Sequence, residues 1–305
     1  MHKILKPKLF YTAWAVMVYI FLFLPILVMI VFAFNAPSNV SLSSLDGIDL
    51  STLSPEKIGN VTLWNGFTVG WFAVALKSTL YIPAIINSAK IAFASAVIAT
   101  TLGLCAALAL ARMRRTRRAP FDVLVYLTLV VPEIVLAVGL LIFFVQARVY
   151  VPWFPRLGSV TILLGQLIFD TSLAMLIIRA RFVGMGDTLE EASFDLGARP
   201  LSTFRQVTLP RLMPAIVAAF LLCFTFSFDD YVVPAFTNGT TNTWPIVLYS
   251  AVRFGITPAV NAMATMMFGI NVLVILIAVL ILRRSRVRGG PGQEKAKGLG
   301  GAMGL

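Results

Sequence analysis

The chain has 305 residues, of which 59% are hydrophobic and only 12% charged, and its mean hydropathy is +0.89. Water-soluble domains carry about a quarter charged residues and at most about half apolar ones, so this composition excludes an ordinary globular enzyme and equally a disordered chain. A formal charge of +12 is common in nucleic-acid binders, but here the 25 basic residues cluster at the ends of apolar segments. That is the pattern of bilayer topology, so no nucleic-acid partner is expected.

A helix needs about 20 apolar residues to cross the hydrocarbon core. Six stretches reach that length, which predicts an all-α membrane protein with six transmembrane helices in a permease domain spanning 12–282. A basic segment, 1–11, precedes the first stretch, Thr12 to Phe34. That run is longer than the apolar core of about 7–15 residues in a secretory signal, so it is read as a retained span. The longest loop, 35–81, follows. It is rich in Ser, Asn and Gly at first and ends in the more apolar LWNGFTVGWFAVAL, which suits a partly ordered cap. The other spans run from Ile82 to Ala111, Phe121 to Val145, Val160 to Ile178, Leu212 to Val233 and Ala259 to Leu282. The tail, 283–305, is basic and then Gly-rich with few apolar groups, so it is expected to be disordered.

Sorting Lys and Arg by loop gives the direction. The N-terminus, the run RMRRTRR at 112–118, the loop 179–211 and the tail hold all but six of the basic residues. The six on the alternate side are Lys57, Lys77, Lys90, Arg148, Arg156 and Arg253. Positive charge is retained on the cytoplasmic side, so both termini are expected there and the loop 35–81 outside. Cys105 and Cys223 lie inside apolar runs, and His2 is the single histidine, so neither a disulfide framework nor a metal site nor a histidine-based catalytic site is expected. No catalytic residue and no cofactor are assigned.

Between the fourth and fifth spans lies RARFVGMGDTLEEASFDLGARPLSTFRQVTLPRLMPAI, which reads as two short helices. Thr188 with Glu191 forms a capping box, with Asp187 and Glu190 as the competing register, and Gly197 is placed as a left-handed C-terminal cap. The first helix is then Leu189 to Leu196, and Leu189, Ala192 and Leu196 recur at helical spacing on one face suited to docking. Pro200 opens the second helix, and Pro210 and Pro214 mark the start of the fifth span. The sequence lacks G-x-x-x-x-G-K-[ST], so any nucleotide-driven engine is another chain.

Glu191-Ala192-Ser193, Gly197, Val207 and Leu209-Pro210 together resemble the EAA loop of ABC-importer permeases, E-A-A-x3-G-x9-I-x-L-P, with every spacing matched. Ser193 stands where the pattern has alanine, and Val207 where it has isoleucine. The resemblance implies a type I ABC-importer permease fold. It also implies that Leu189 and these motif residues seat a coupling helix on one of two ATPase subunits.

Four acids lie within or at the ends of spans, where a central charge costs about 2.5–3.5 kcal/mol on insertion scales: Glu133, Asp170, Asp229 and Asp230. No Lys or Arg sits centrally in any span, so a cationic substrate would supply the missing charge. Structural readings stand beside this one. Glu133 after Pro132 suits the first turn of a half-helix, Asp229 and Asp230 suit a solvated helix end, and Asp170 suits a protonated group bonded to polar neighbours. Tyr231, Phe236 and Trp244 offer cation–π faces, or an interfacial aromatic belt.

The stretches VVPEIVLAVGLL, FTFSFDDYVVPAFTNG and YSAVRFGITPAVNAMAT look like those of the second permease subunit of spermidine/putrescine ABC transporters. The likeness runs from about Asn65 to Leu282 and weakens across 37–62, where this chain carries extra residues. It implies a multi-pass protein of the bacterial inner membrane that imports polyamine by alternating access. The implied partners are two ATPase subunits, a second, different permease chain and an external solute-binding protein. Ferric iron, thiamine or another cation are the alternatives within the importer class. A proton-coupled secondary transporter and a channel are rivals outside it, and the coupling loop has no task in either.

Overall fold

The computed structural model describes residues 7–36, 63–64, 66–186, 188–254 and 256–288. Among them every regular element is helical, and the one pairing of extended backbone is an isolated antiparallel bridge between Asn35 and Phe67. Helices suit so apolar a chain because each closes its backbone hydrogen bonds within itself. In chain order they are α1 (Pro7–Phe32), α2 (Gly70–Leu76), α3 (Tyr81–Arg112), α4 (Arg115–Val130), α5 (Glu133–Tyr150), α6 (Ser159–Val183), α7 (Thr188–Asp195), α8 (Pro200–Thr203), α9 (Leu209–Asp229), α10 (Val232–Thr237), α11 (Trp244–Phe254) and α12 (Pro258–Arg288). A single π-helical turn, Phe204–Thr208, joins α8 to α9. Among the described residues, five helical stretches are long and apolar enough to cross a membrane: Phe10–Phe32, Tyr81–Arg112, Glu133–Tyr150, Ser159–Val183 and Pro200–Asp229. A shorter apolar stretch is Pro258–Leu273. The extra residues of the long loop, 37–62, and the Gly-rich tail from Gly289 lie outside the described residues.

Two compact units divide the chain, 1–78 with 255–305, and 79–254. In the first, α1 and α2 both pack against α12. The chain leaving α1 meets the ordered end of the long loop: Ala36 N–H donates to the Gly66 carbonyl at 2.9 Å and Thr68 N–H to the Phe34 carbonyl at 2.8 Å. The Trp71 indole N–H donates to the Asn35 carbonyl at 2.8 Å, so this part of the loop has the order expected of a cap.

In the second unit α3, α6 and α9 pack against one another. Small side chains make the contact close: Ala96, Ala99, Ala107, Ala174 and Ala219 are wholly buried, with Met175, Ile178 and Cys223 filling between them. A Cβ on Gly103 would stand 2.7 Å from that of Ala174, so the α3–α6 approach at this point admits only glycine.

Two interruptions depart from the six uniform spans. The third stretch, expected as one helix from Phe121 to Val145, is two, α4 and α5, broken at Val131-Pro132. Proline has no N–H to continue the ladder and pushes Val131 into extended backbone, ψ 130. The fifth stretch, expected to continue to Val233, stops at Asp229. Asp230 is extended, and α10 begins as a separate helix at Val232.

Candidate functional site

Both interruptions fall at acidic residues. The break at Pro132 makes Glu133 the first residue of α5, where the free N–H groups of a helix start favour a carboxylate. The end of α9 leaves Asp229 in its last turn and Asp230 at the α9–α10 joint. With the middle of α6 they enclose a cavity of about 650 Å³. Glu133, Gln166, Asp170, Asp229, Asp230 and Tyr231 line it with apolar residues such as Phe169 and Phe226, and no Lys or Arg is among the lining residues. Five of the seven acidic and aromatic residues singled out from the sequence thus converge on one cavity. Trp244 does not line it. Its ring is buried and packs edge-on against Tyr81 at 6.2 Å, while the Trp244 backbone N–H donates to Ser88 Oγ at 2.8 Å. Phe236 does not line the cavity either.

The acids are held differently. Asp170 is 2% exposed, its Oδ2 accepts from Ser95 Oγ of α3 at 2.6 Å, and its carbonyl accepts from the Cys223 thiol of α9 at 3.3 Å. It therefore has the polar neighbour its structural reading requires. Asp230 Oδ1 accepts the Val233 N–H at 3.3 Å, and its Oδ2 accepts from Gln166 Nε2 at 3.1 Å. Glu133 stands beside Asp230 across the α5–α10 contact. The Asp229 side chain is exposed to the cavity, and its carboxylate makes no hydrogen bond or ion pair with another described residue. Beside the acids, the rings of Tyr231 and Tyr249 lie 4.5 Å apart.

The other candidate site is the loop between α6 and α9. α7 runs from Thr188 to Asp195, one residue earlier at each end than expected, so Thr188 lies inside the helix rather than at its cap. In the competing register the cap is Asp187, which lies outside the described residues. Glu190 is drawn instead to the buried Thr208, whose hydroxyl donates to Glu190 Oε1 at 2.5 Å. Gly197 has φ +80, the Gly197 N–H donates to the Phe194 carbonyl at 2.8 Å, and the Ala198 N–H donates to the Ser193 carbonyl at 3.1 Å. This pair of bonds is the Schellman closure, so the expected left-handed cap is present.

Spacing sorts the faces of α7. Glu190 and Ser193, three apart, turn toward α8 and the π-helical turn, where Ser193 Oγ and Thr203 Oγ1 lie 2.9 Å apart in a hydrogen bond. Leu189, Ala192 and Leu196 turn outward, with Leu196 89% exposed, and Glu191 is also exposed. Val207 and Leu209 are half-buried, and Pro210 in the first turn of α9 is exposed. The bonds of Ser193 and Glu190 clip the helix from behind and leave this apolar face open.

Sequence reasoning weighed the acidic and aromatic residues of the spans, and so passed over Gln166, Ser227 and Ser95. A glutamine in an apolar helix carries the same signal as an acid, a polar group that needs a partner.

The family described as binding-protein-dependent transport system inner membrane component matches residues 99–287, and the chain belongs to that family. It is thus a permease subunit of the ABC-importer class in the inner membrane, a transport component rather than an enzyme, and works with ATPase and binding-protein partners. Among its relatives is the putrescine transport system permease protein PotI of Escherichia coli (strain K12), 32% identical over 267 residues, 87% of this chain and 88% of that one. Another is the spermidine/putrescine transport system permease protein PotC of the same organism, 30% identical over 279 residues, 91% of this chain and 95% of that one. In fold it is similar to a bacterial ABC transporter involved in the import of alginate, with TM-score 0.59 and 14% identity over 72% of this chain and 85% of that one. It is similar also to the MetNI methionine ABC transporter, with TM-score 0.54 and 18% identity over 67% and 95%.

Proposed function

We propose that this permease imports polyamines such as putrescine or spermidine. It pairs with a second, different permease chain, and two ATPase subunits dock on the loop 179–211. Leu189, Glu191, Ala192, Ser193, Gly197, Val207, Leu209 and Pro210 form or support the docking surface. A binding protein delivers substrate on the opposite side, where the loop 35–81 lies, and both termini face the cytoplasm. No bond is made or broken in the substrate. The permease offers a path whose access alternates, and the carboxylates of the cavity attract ammonium groups in a setting where water screens little.

The observation that carries this reading is the cavity: four acids from three stretches of chain meet there with no basic residue among them. An alkyl diamine suits such a wall, since its charged ends meet carboxylates and its methylenes meet Phe169 and Phe226. The names of the two relatives support the same substrate class.

The test is uptake by the complex reconstituted in vesicles with its ATPase and binding-protein subunits. Putrescine or spermidine uptake should require internal ATP and survive collapse of the proton gradient. Uptake that follows the gradient and ignores ATP would refute the proposal. Sidedness has its own measurement. In a background lacking Cys105 and Cys223, Asn242→Cys and Lys57→Cys should react with an impermeant thiol reagent in intact cells, while Arg115→Cys and Gly197→Cys should not. Labelling of Arg115→Cys from outside would invert the arrangement.

A further inference from the structure

Gln166 sits in the middle of α6, 4% exposed, in a helix whose neighbours are largely apolar. A buried amide is costly unless it is bonded, and this one is bonded in three ways. Its Nε2 donates to the Ser227 carbonyl at 3.0 Å and to Asp230 Oδ2 at 3.1 Å, and its Oε1 accepts from Ser227 Oγ at 2.5 Å. Both N–H donors are therefore spent on the end of α9 and its joint with α10. The remaining carboxylate oxygen of Asp230 takes the Val233 N–H, at the start of α10. One side chain of α6 and one of the joint thus tie three helices together at the wall of the cavity.

The chemistry of the donor matters. An arginine or lysine in place of Gln166 would hold Asp230 equally well but would cancel its charge. Glutamine fixes the carboxylate with neutral N–H groups and leaves the charge for whatever enters the cavity. Asp229, the adjacent acid, has no such partner. The acidic pair is therefore unequal: Asp230 is held in one place beside Glu133, and the Asp229 carboxyl has no bonded partner among the described residues.

We infer that Gln166 is a positioning residue for cation recognition, holding the Asp230 carboxyl oriented toward the cavity so that Asp230 and Glu133 act as one fixed acidic end of the site. The inference rests on the polyamine reading above. It adds that affinity depends on the Gln166–Asp230 bond and not only on the number of acids.

The experiment measures equilibrium binding of putrescine to the purified permease–ATPase complex without its external binding protein. Gln166→Leu, which removes both donors, should weaken binding about tenfold, on the scale of a hydrogen bond to a charged group, while the subunits still co-purify. The exchange variant Gln166→Glu with Asp230→Asn moves the charge to α6 and reverses the donor, so an amide–carboxylate bond forms again. It should bind within about threefold of native, whereas Gln166→Glu alone should not match native affinity. Recovery in the exchange variant is a result that general loosening of the helices would not give, and it stands even if Gln166→Leu assembles poorly. Native affinity in Gln166→Leu, or no recovery in the exchange variant, overturns the inference. If Glu133→Gln and Asp229→Asn also leave putrescine binding at the native value, the polyamine reading fails with it. If those two weaken binding and Gln166→Leu does not, only the role of Gln166 fails.

Discussion

Complexes carrying Glu133→Gln, Asp229→Asn and Asp230→Asn together should import putrescine at about a tenth of the native rate or less. The three acids contribute attraction that falls off slowly in a poorly screened cavity, and the loss of even ~1.4 kcal/mol is tenfold in affinity. Gln and Asn keep the shape of the side chains and their carbonyl acceptors, so the Val233 N–H retains a partner at residue 230. Two controls separate charge from folding. Binding of putrescine to the external protein should be unchanged, because that site is on another chain. The ATPase subunits should still co-purify, because none of the three residues belongs to the loop 179–211. Uptake at the native rate in the triple variant would make these acids structural and leave the importer without a known substrate.

Gly197→Val should leave the permease in the membrane and strongly reduce retention of the ATPase subunits or stimulation of their hydrolysis by substrate. The strain is in the backbone alone. At φ +80 a left-handed residue other than glycine costs about 1–2 kcal/mol, and valine is the worse for its branched Cβ, yet no atom lies within 4 Å of where a Cβ would stand. Relief of that strain would open the Schellman closure and swing Leu196, the most exposed apolar group of the docking face, away from α7. Gly197→Asn is the matched comparison, since asparagine tolerates the left-handed region, and it should keep most of the function. Equal behaviour of the Val and Asn variants, both at the native level, would remove the role assigned to this cap.

Much of the loop was legible because its rules are local. A left-handed cap needs glycine, docking needs apolar residues at helical spacing, and both can be read within ten residues of chain. Of the two registers open at the start of α7, the helix takes the one that begins at Thr188, and Glu190 is bonded to the hydroxyl of Thr208 eighteen residues on, a partner no local rule names. Trp244 stands with the acids in the sequence reading for the cation–π face of its ring. Burial of its ring beside Tyr81 and a bond to Ser88, 156 residues earlier, put it elsewhere. The break at Pro132 was written in the chain as a possible half-helix, but hydropathy alone reads straight through it.

The sequence by itself determined that this chain lives in a bilayer, roughly where its apolar helices run, and that a left-handed glycine cap ends the short helix of the loop 179–211, because the cost of a polar group in hydrocarbon and the backbone needs of Gly act over one or two turns. It also showed that the four acids have no Lys or Arg central in any span to pair with. Only the tertiary structure decided which of them share a cavity and which are already bonded. Ser95 reaches Asp170 across 75 residues and Gln166 reaches Asp230 across 64, and such pairings follow from the packing of α3, α6 and α9 on small side chains. The difference between a fixed Asp230 and an unbonded Asp229 is a difference between neighbours in sequence, made by where α9 ends.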